Sequence, residues 1–560
     1  MDMNDPKKIL VYGIIAITII VIIVAMYTTP LFRSPSNSKQ VIQPVVRIVA
    51  NSNASSIEQF KNQFCGLTSI PNSNNYVTEY KLPHTCEMPL GIAVDSHAGK
   101  IWYVSTKQGT LGSYDLVSKK FDKEITIPIW KVRQNPMDFS DVWSVKVSGK
   151  GDSIWFTDDK QNAIWRYTKS LGAFEMYKVP ERSPVFGTTS PVSLDFDSKG
   201  NLYFVGLHSS ALWFGNVTQM KNNTSDGITK IPMPINGFNG VSSAKISTGS
   251  LAVDNKRNVV WVSMLAFSTE GEILRYNMAS KTFATFILPE QLSSPVGLAV
   301  DNTGNLWATD HGTSIFYMLD TTSHNVTMFA TSKASPIIYG LNDSTSLPEG
   351  ANTLPYWIQK GADDGSLWFN EHQGNKIARF DPLNNTLYEY WIPTQDRLWG
   401  DCPPSSKTCG IANALQFSRG ANGQTWFAEL SENKIGSIAP VTNNYKHQSP
   451  FSVSASSQEL TIKRGESMEI KVNISTTGAS PSSSNIDMVS SGTFTPTGEF
   501  GNSTGSFSEQ SFSLEPMHTK EVSFIFTPAI DLGSGEYTLM LGAQNDSITV
   551  MKAVKVHIVL

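Results

Sequence analysis

The chain has 560 residues, of which 16% are charged and 10% aromatic, and its formal net charge is −4. So sparse and balanced a charge argues against nucleic acid as a partner, because that ligand selects a basic surface. The length admits several domains or one large repeat domain with attachments, and the abundant Ser, Thr, Asn and Gly suit an all-β protein working outside the cytoplasm.

Residues 1–8 are polar and end in Lys7 and Lys8, after which Ile9 to Met26 runs without a charge. A run of that length crosses a bilayer as one helix, so residues 9–27 are read as a transmembrane anchor with a short cytoplasmic N-terminus before it. A cleaved signal peptide is the alternative. Either reading places the bulk of the chain outside the cytoplasm, at the cell membrane for the anchored form. Residues 28–75, rich in Ser, Asn, Gln and Pro, read as a stalk.

Two sparse features agree with export. Cys65 with Cys86 and Cys402 with Cys409 form the simplest pairing of the four cysteines into disulfides. A zinc site is the alternative, although neither spacing resembles CxxC. Sequons for N-glycosylation stand at Asn53, Asn216, Asn222, Asn223, Asn325, Asn342, Asn384, Asn473, Asn502 and Asn545, all beyond the apolar run.

From residue 76 to 448 a repeat takes over, and Gly365 to Pro393 displays its plan. Leu367 to Phe369, Lys376 to Phe380 and Leu387 to Ile392 alternate as strands with turn residues between them, and Pro355 to Lys360 supplies another strand in front. Four short antiparallel strands cannot bury both faces alone, so copies must stack around an axis as propeller blades. Seven aromatics mark the second strands: Trp102, Trp155, Tyr203, Trp261, Trp307, Trp368 and Trp426. Most blades open with a proline-entered strand and a tight Asp/Gly turn, as in Pro89 to Asp95 with Gly99 and Pro295 to Asp301 with Gly304. The seventh repeat lacks an outer strand, and Tyr76 to Pro83 is an outer strand without a blade, so the first segment is expected to close the ring. Residues 449–560 show longer alternating strands and read as an immunoglobulin-like β-sandwich.

The second-strand ends emerge on one face of the channel. Asp310, Glu371 and Glu429 stand there in consecutive blades, with His311 and His372 directly after two of them. Such a half-ring suits a divalent ion, magnesium or calcium at the carboxylates, or a general acid or base. The competing reading is that each acid serves its own turn, and that Lys376 and Lys434 pair with Glu371 and Glu429. Aromatic-rich connectors on the same face, among them Thr394 to Ala412, point to a docking surface or to burial against the rim.

Gly-x-Leu-Trp-Phe-x-Glu-x-x-x-Asn-Lys-Ile, present from Gly365 to Ile377 and with Gln-Thr before Trp from Gly423 to Ile435, resembles the streptogramin B lyase family of seven-bladed propellers. Gly304 to Trp307 is also similar to NHL and gluconolactonase-type repeats. The lyase resemblance implies magnesium-dependent opening of a cyclic depsipeptide ester, with Glu371, His372 and Glu429 at repeat positions where such residues fall. Two features depart from it: the entries Pro89-Leu90, Pro191-Val192, Pro295-Val296 and Pro355-Tyr356 carry no histidine, and Leu430 follows Glu429. The expected function is therefore binding, by a membrane-anchored platform for a surface protein, glycan or small ligand, as an accessory subunit of a surface complex. A metal-dependent lyase or lactone hydrolase at Asp310, Glu371, His372 and Glu429 is the alternative.

Overall fold

The computed structural model describes residues 70–130, 140–234, 246–265, 270–333, 352–361, 364–395, 411–438, 449–476 and 483–560. The expected anchor at 9–27, most of the stalk, Cys65, Cys402, Cys409, Asn53 and Asn342 lie outside these residues. Among the described residues every regular element is a strand, and no helix is long and apolar enough to cross a membrane.

Seven antiparallel sheets follow one another along the chain as the blades of a β-propeller. In blade six Pro355–Lys360 is innermost, followed outward by Leu367–Glu371, Lys376–Asp381 and Thr386–Trp391. The other inner strands are Pro89–Asp95, Val145–Val147, Pro191–Phe196, Ser247–Asp254, Pro295–Val300 and Phe417–Arg419. The outer strand of blade seven is Val77–Lys81, paired antiparallel with Lys434–Ile438 so that Val77 faces Ile438 and Lys81 faces Lys434. The first and last strands of the repeat region thus share one sheet, which closes the ring.

The marker aromatics explain why each blade holds together. All seven are buried, and several stack on an aromatic of their own outer strand: Trp368 on Tyr390 with centroids 5.7 Å apart, Trp155 on Tyr177 at 5.6 Å. Such pairs contribute about 0.5–1.5 kcal/mol beyond area burial. The turn aspartates serve this aromatic as well. Asp301 accepts three turn N–H groups on Oδ1, while its Oδ2 accepts the indole N–H of Trp307 at 3.0 Å. Asp95 does the same for Ala98 and Trp102.

Among the described residues neighbouring inner strands do not pair through their backbones. Side chains clasp them instead. Gln416 of blade seven accepts the N–H of Ile92 in blade one and donates to the carbonyl of Trp143 ahead of blade two. Thr309 donates to the carbonyl of Tyr356, and Asn370 to that of Ala414 at 2.7 Å. The glycine of Pro295-Val-Gly297 has a steric reason, since a Cβ there would run into the backbone of Tyr356 in the next blade.

Beyond residue 449 two sheets pack around one apolar core that includes Phe451, Ile470, Val472, Phe524, Leu541 and Val556. One sheet orders Phe451–Ala455, Met468–Thr476, Thr519–Thr527 and Thr504–Phe507. In the other, Ile548–Val559 lies between Gly535–Gln544 and the outer strand of blade six, Thr386 facing Lys552 and Tyr390 facing Ile548. Propeller and C-terminal unit therefore share a nine-stranded sheet. Their cores merge too, for Trp368, Tyr390 and Ile392 belong to the same buried cluster as Val550 and Val554.

Candidate functional site

Register fixes where the predicted acids stand. Asp310 lies opposite Pro295 and Glu371 opposite Pro355, so both sit at the end of the channel where inner strands begin. The structure draws each acid into its own blade. Asp310 is buried and accepts backbone N–H groups from Ser294 at 2.8 Å and Gly312 at 3.0 Å. Burial raises its carboxyl to about 6, against the pull of those two donors. Asp158, at the same position in blade two, accepts the indole N–H of Trp130 at 2.8 Å and of Trp165 at 2.9 Å.

Glu371 faces Lys376 across the hairpin, and Lys376 Nζ lies 3.1 Å from Glu371 and 3.2 Å from Glu389, all three side chains being fully buried. Lys376 also donates to the hydroxyl of Ser332 at 2.6 Å and sits 5.1 Å from the ring centre of Trp391. Burial first, then Glu389, holds Glu371 well above the carboxylate range, and Lys376 acts the other way. In blade seven Lys434 pairs with Glu79 at 3.0 Å and Glu432 at 3.4 Å rather than with the expected Glu429. Glu429 is the least satisfied member: among the described residues neither oxygen has a hydrogen-bond partner, and burial beside Glu79 keeps it well above the usual range.

Two of the predicted residues do meet. His311 Nε2 lies 3.4 Å from His372 Nδ1, their rings stacked at 9°, and the other nitrogen of His372 bonds the side-chain oxygen of Asn413. Burial lowers His372 to about 4 and His311 well below its ordinary range, so both imidazoles are neutral at physiological pH. The ring of Tyr356 packs on His311 at 4.4 Å.

Among the described residues no three His, Cys, Asp or Glu side chains converge as metal ligands. The divalent ion expected for the half-ring does not fit the residues present: Asp310 serves backbone N–H groups, Glu371 serves Lys376, the imidazoles meet each other and Asn413, and Glu429, left without a partner among the described residues, is not a ligand set by itself. The inner-strand starts add a second obstacle. Leu90, Trp143, Val192, Val296, Tyr356 and Leu415, from six blades, belong to one buried apolar cluster at this end.

The repeat motif resolves into structural roles. Asn375 and Asn433 both adopt φ of 55°, which asparagine tolerates. Asn375 accepts the N–H of Ala412 at 2.7 Å and donates to the carbonyl of Ile392, tying its turn to the connector beyond. Asn433 ties Glu87 and His84 in the same way. Asn413, Glu389 and Glu79 carry no local sequence signal. They are recognised only once the blades are assembled.

Cys86 is disulfide-bonded. Asn223, Asn325, Asn384 and Asn502 are exposed, and Asn216, Asn473 and Asn545 are half-buried. The opposite end of the channel is open, with a cavity of about 450 Å³ lined by the later residues of the inner strands.

No family model matches this chain, and neither does any curated protein. Among solved structures it is similar to a virginiamycin B lyase from Staphylococcus aureus, at 21% identity over 65% of this chain and 98% of that one, with a TM-score of 0.46. A streptogramin B lyase structure gives 22% identity over 65% and 97% of the two chains, also at 0.46. Kuenenia stuttgartiensis hydrazine synthase aligns over 65% and 98% at 10% identity, with a TM-score of 0.46. What this chain shares with these structures is the β-propeller, whose evidence here is its own strand pairing.

Proposed function

We propose that the chain is a membrane-anchored, extracytoplasmic binding module: residues 9–27 hold it in the membrane, 28–75 space it outward, and the propeller presents a ligand or partner surface. The C-terminal unit is read as immunoglobulin-like, and its shared sheet with blade six makes the body a rigid platform. A disulfide from Cys86 to Cys65, another from Cys402 to Cys409, and glycans at the exposed sequons belong to the same reading. A surface protein or glycan is the partner class.

The observation that carries this proposal is the end of the channel at Asp310, Glu371, His372 and Glu429. Asp310, Glu371 and the two imidazoles are engaged within the fold, Glu429 is buried without a hydrogen-bond partner among the described residues, and apolar side chains from six blades pack together at the same end. A lyase or hydrolase requires the reverse, polar groups held ready around an open pocket. The test assays the full chain, with magnesium or calcium, against cyclic depsipeptide esters and lactones, alongside crosslinking capture on its native membrane. Capture of a surface component without turnover is expected. Metal-dependent turnover that Glu371→Gln abolishes would overturn the proposal.

A further inference from the structure

The open end of the channel has the opposite character. Its cavity of about 450 Å³ lies within the range of about 300–1,000 Å³ typical of small-molecule sites. Inner strands of six blades reach it, and Lys146, Lys256 and Lys360 stand in its wall. The acids nearby are already engaged. Asp254 holds Arg257 at 2.9 Å, and Asp301 is taken up by its own turn and Trp307. Asp195 accepts the N–H of Val253 and reaches Lys146 only at 3.9 Å. Lys360 has a neutral partner, Asn302 Oδ1 at 2.8 Å, and among the described residues Lys256 makes no ion pair. Lys256 and Lys360 therefore stand at the cavity with no carboxylate of their own among the described residues, and Lys146 has only the long contact to Asp195. The wall between them is polar and aromatic: Ser193, Asn302 and the half-buried indole of Trp357, with Gln359 held by Phe417 and Arg419.

We infer that this cavity binds a small polyhydroxylated carboxylate, an acidic monosaccharide, with its carboxylate on Lys256, Lys360 and Lys146 and its ring against Trp357. Ammonium groups supply charge to the carboxylate, the Ser193 hydroxyl and the Asn302 amide N–H match hydroxyls, and an indole face suits the apolar face of a sugar ring. The inference rests on the reading of the chain as a binding module and names one ligand class for it.

The test titrates the purified full chain with D-glucuronate by calorimetry, with D-glucose and inorganic phosphate as comparison probes. Saturable binding of glucuronate, at least tenfold tighter than glucose and weakened by salt, is expected. The double variant Lys256→Gln, Lys360→Gln should lose that binding at least tenfold while its melting temperature stays unchanged, as suits an exposed and a half-buried side chain. Absence of glucuronate binding, equal binding of glucose, binding of phosphate alone, or binding indifferent to the double variant each overturns the assignment. Failure here with capture of a surface partner intact would leave the broader reading standing. Metal-dependent turnover would remove that reading instead.

Discussion

The same set of inner strands builds both ends of the channel, and the two ends finish with opposite chemistry. Where the strands begin, residue types suited to catalysis gather, yet Asp310 bonds two N–H groups, Glu371 shares Lys376 with Glu389, and His372 bonds Asn413. Where they end, ordinary lysines and amides surround an open cavity. Residue identity therefore says less about a site than whether its polar atoms are already engaged. A buried acid with a partner is part of the scaffold, whereas an ammonium without one is available to a ligand.

The comparison breaks most sharply at Lys376. Replacing it with Met leaves Glu371 and Glu389 buried without their cation, and removing one member of such a cluster costs about 3–5 kcal/mol. A denaturant titration should show that loss, largely recovered when Glu371→Gln and Glu389→Gln are added. A loss below about 1 kcal/mol would mean the triad is not structural. Lys434 should behave alike through Glu79.

His372 gives a pH signature of about 3 kcal/mol. His372 is held near 4, below its ordinary 6.5, so the folded state favours the neutral ring. Its contribution is complete above pH 6.5 and is lost as pH falls toward 4. The stability difference between wild type and His372→Gln should shrink across that window. A difference independent of pH would show that the ring is not buried neutral. Asp310, raised to about 6, acts in the other direction, losing its contribution as pH rises through that value, so only such differences isolate one group.

Smaller effects sharpen the same contrast. Asn375→Ala removes a left-handed residue and two side-chain bonds to the connector, and should cost about 1–3 kcal/mol. Asn375→Gly should recover the backbone part alone, as thermal unfolding can resolve. Lys256→Gln, at the open end, should change stability by no more than about 0.5 kcal/mol.

Much of the propeller was legible because each blade repeats its signals within a short span. The Trp368 position, the Asp301 turn and the spare strand at Tyr76 to Pro83 each announce themselves locally. The partner of Ile548–Val559 did not, since its pairing with Thr386–Trp391 depends on two segments far apart in sequence. The strand Ser484–Gly492 lies in a stretch rich in Ser and Gly, where alternation is weak. At the candidate site, the pairing of Glu371 with Lys376 follows from hairpin register and could be anticipated. Glu389, two strands away, could not. The cavity had no sequence signal at all, because Lys146, Lys256 and Lys360 converge only when the ring closes.

The contrast between the two ends can be read in one calorimetric series: D-glucuronate titrated at neutral pH into wild type, into Lys256→Gln with Lys360→Gln, and into His372→Gln. Binding lost in the lysine variant and retained in the histidine variant is the predicted result. Binding retained in the lysine variant and lost in the histidine variant would place the working end of the channel at the acids and contradict the account.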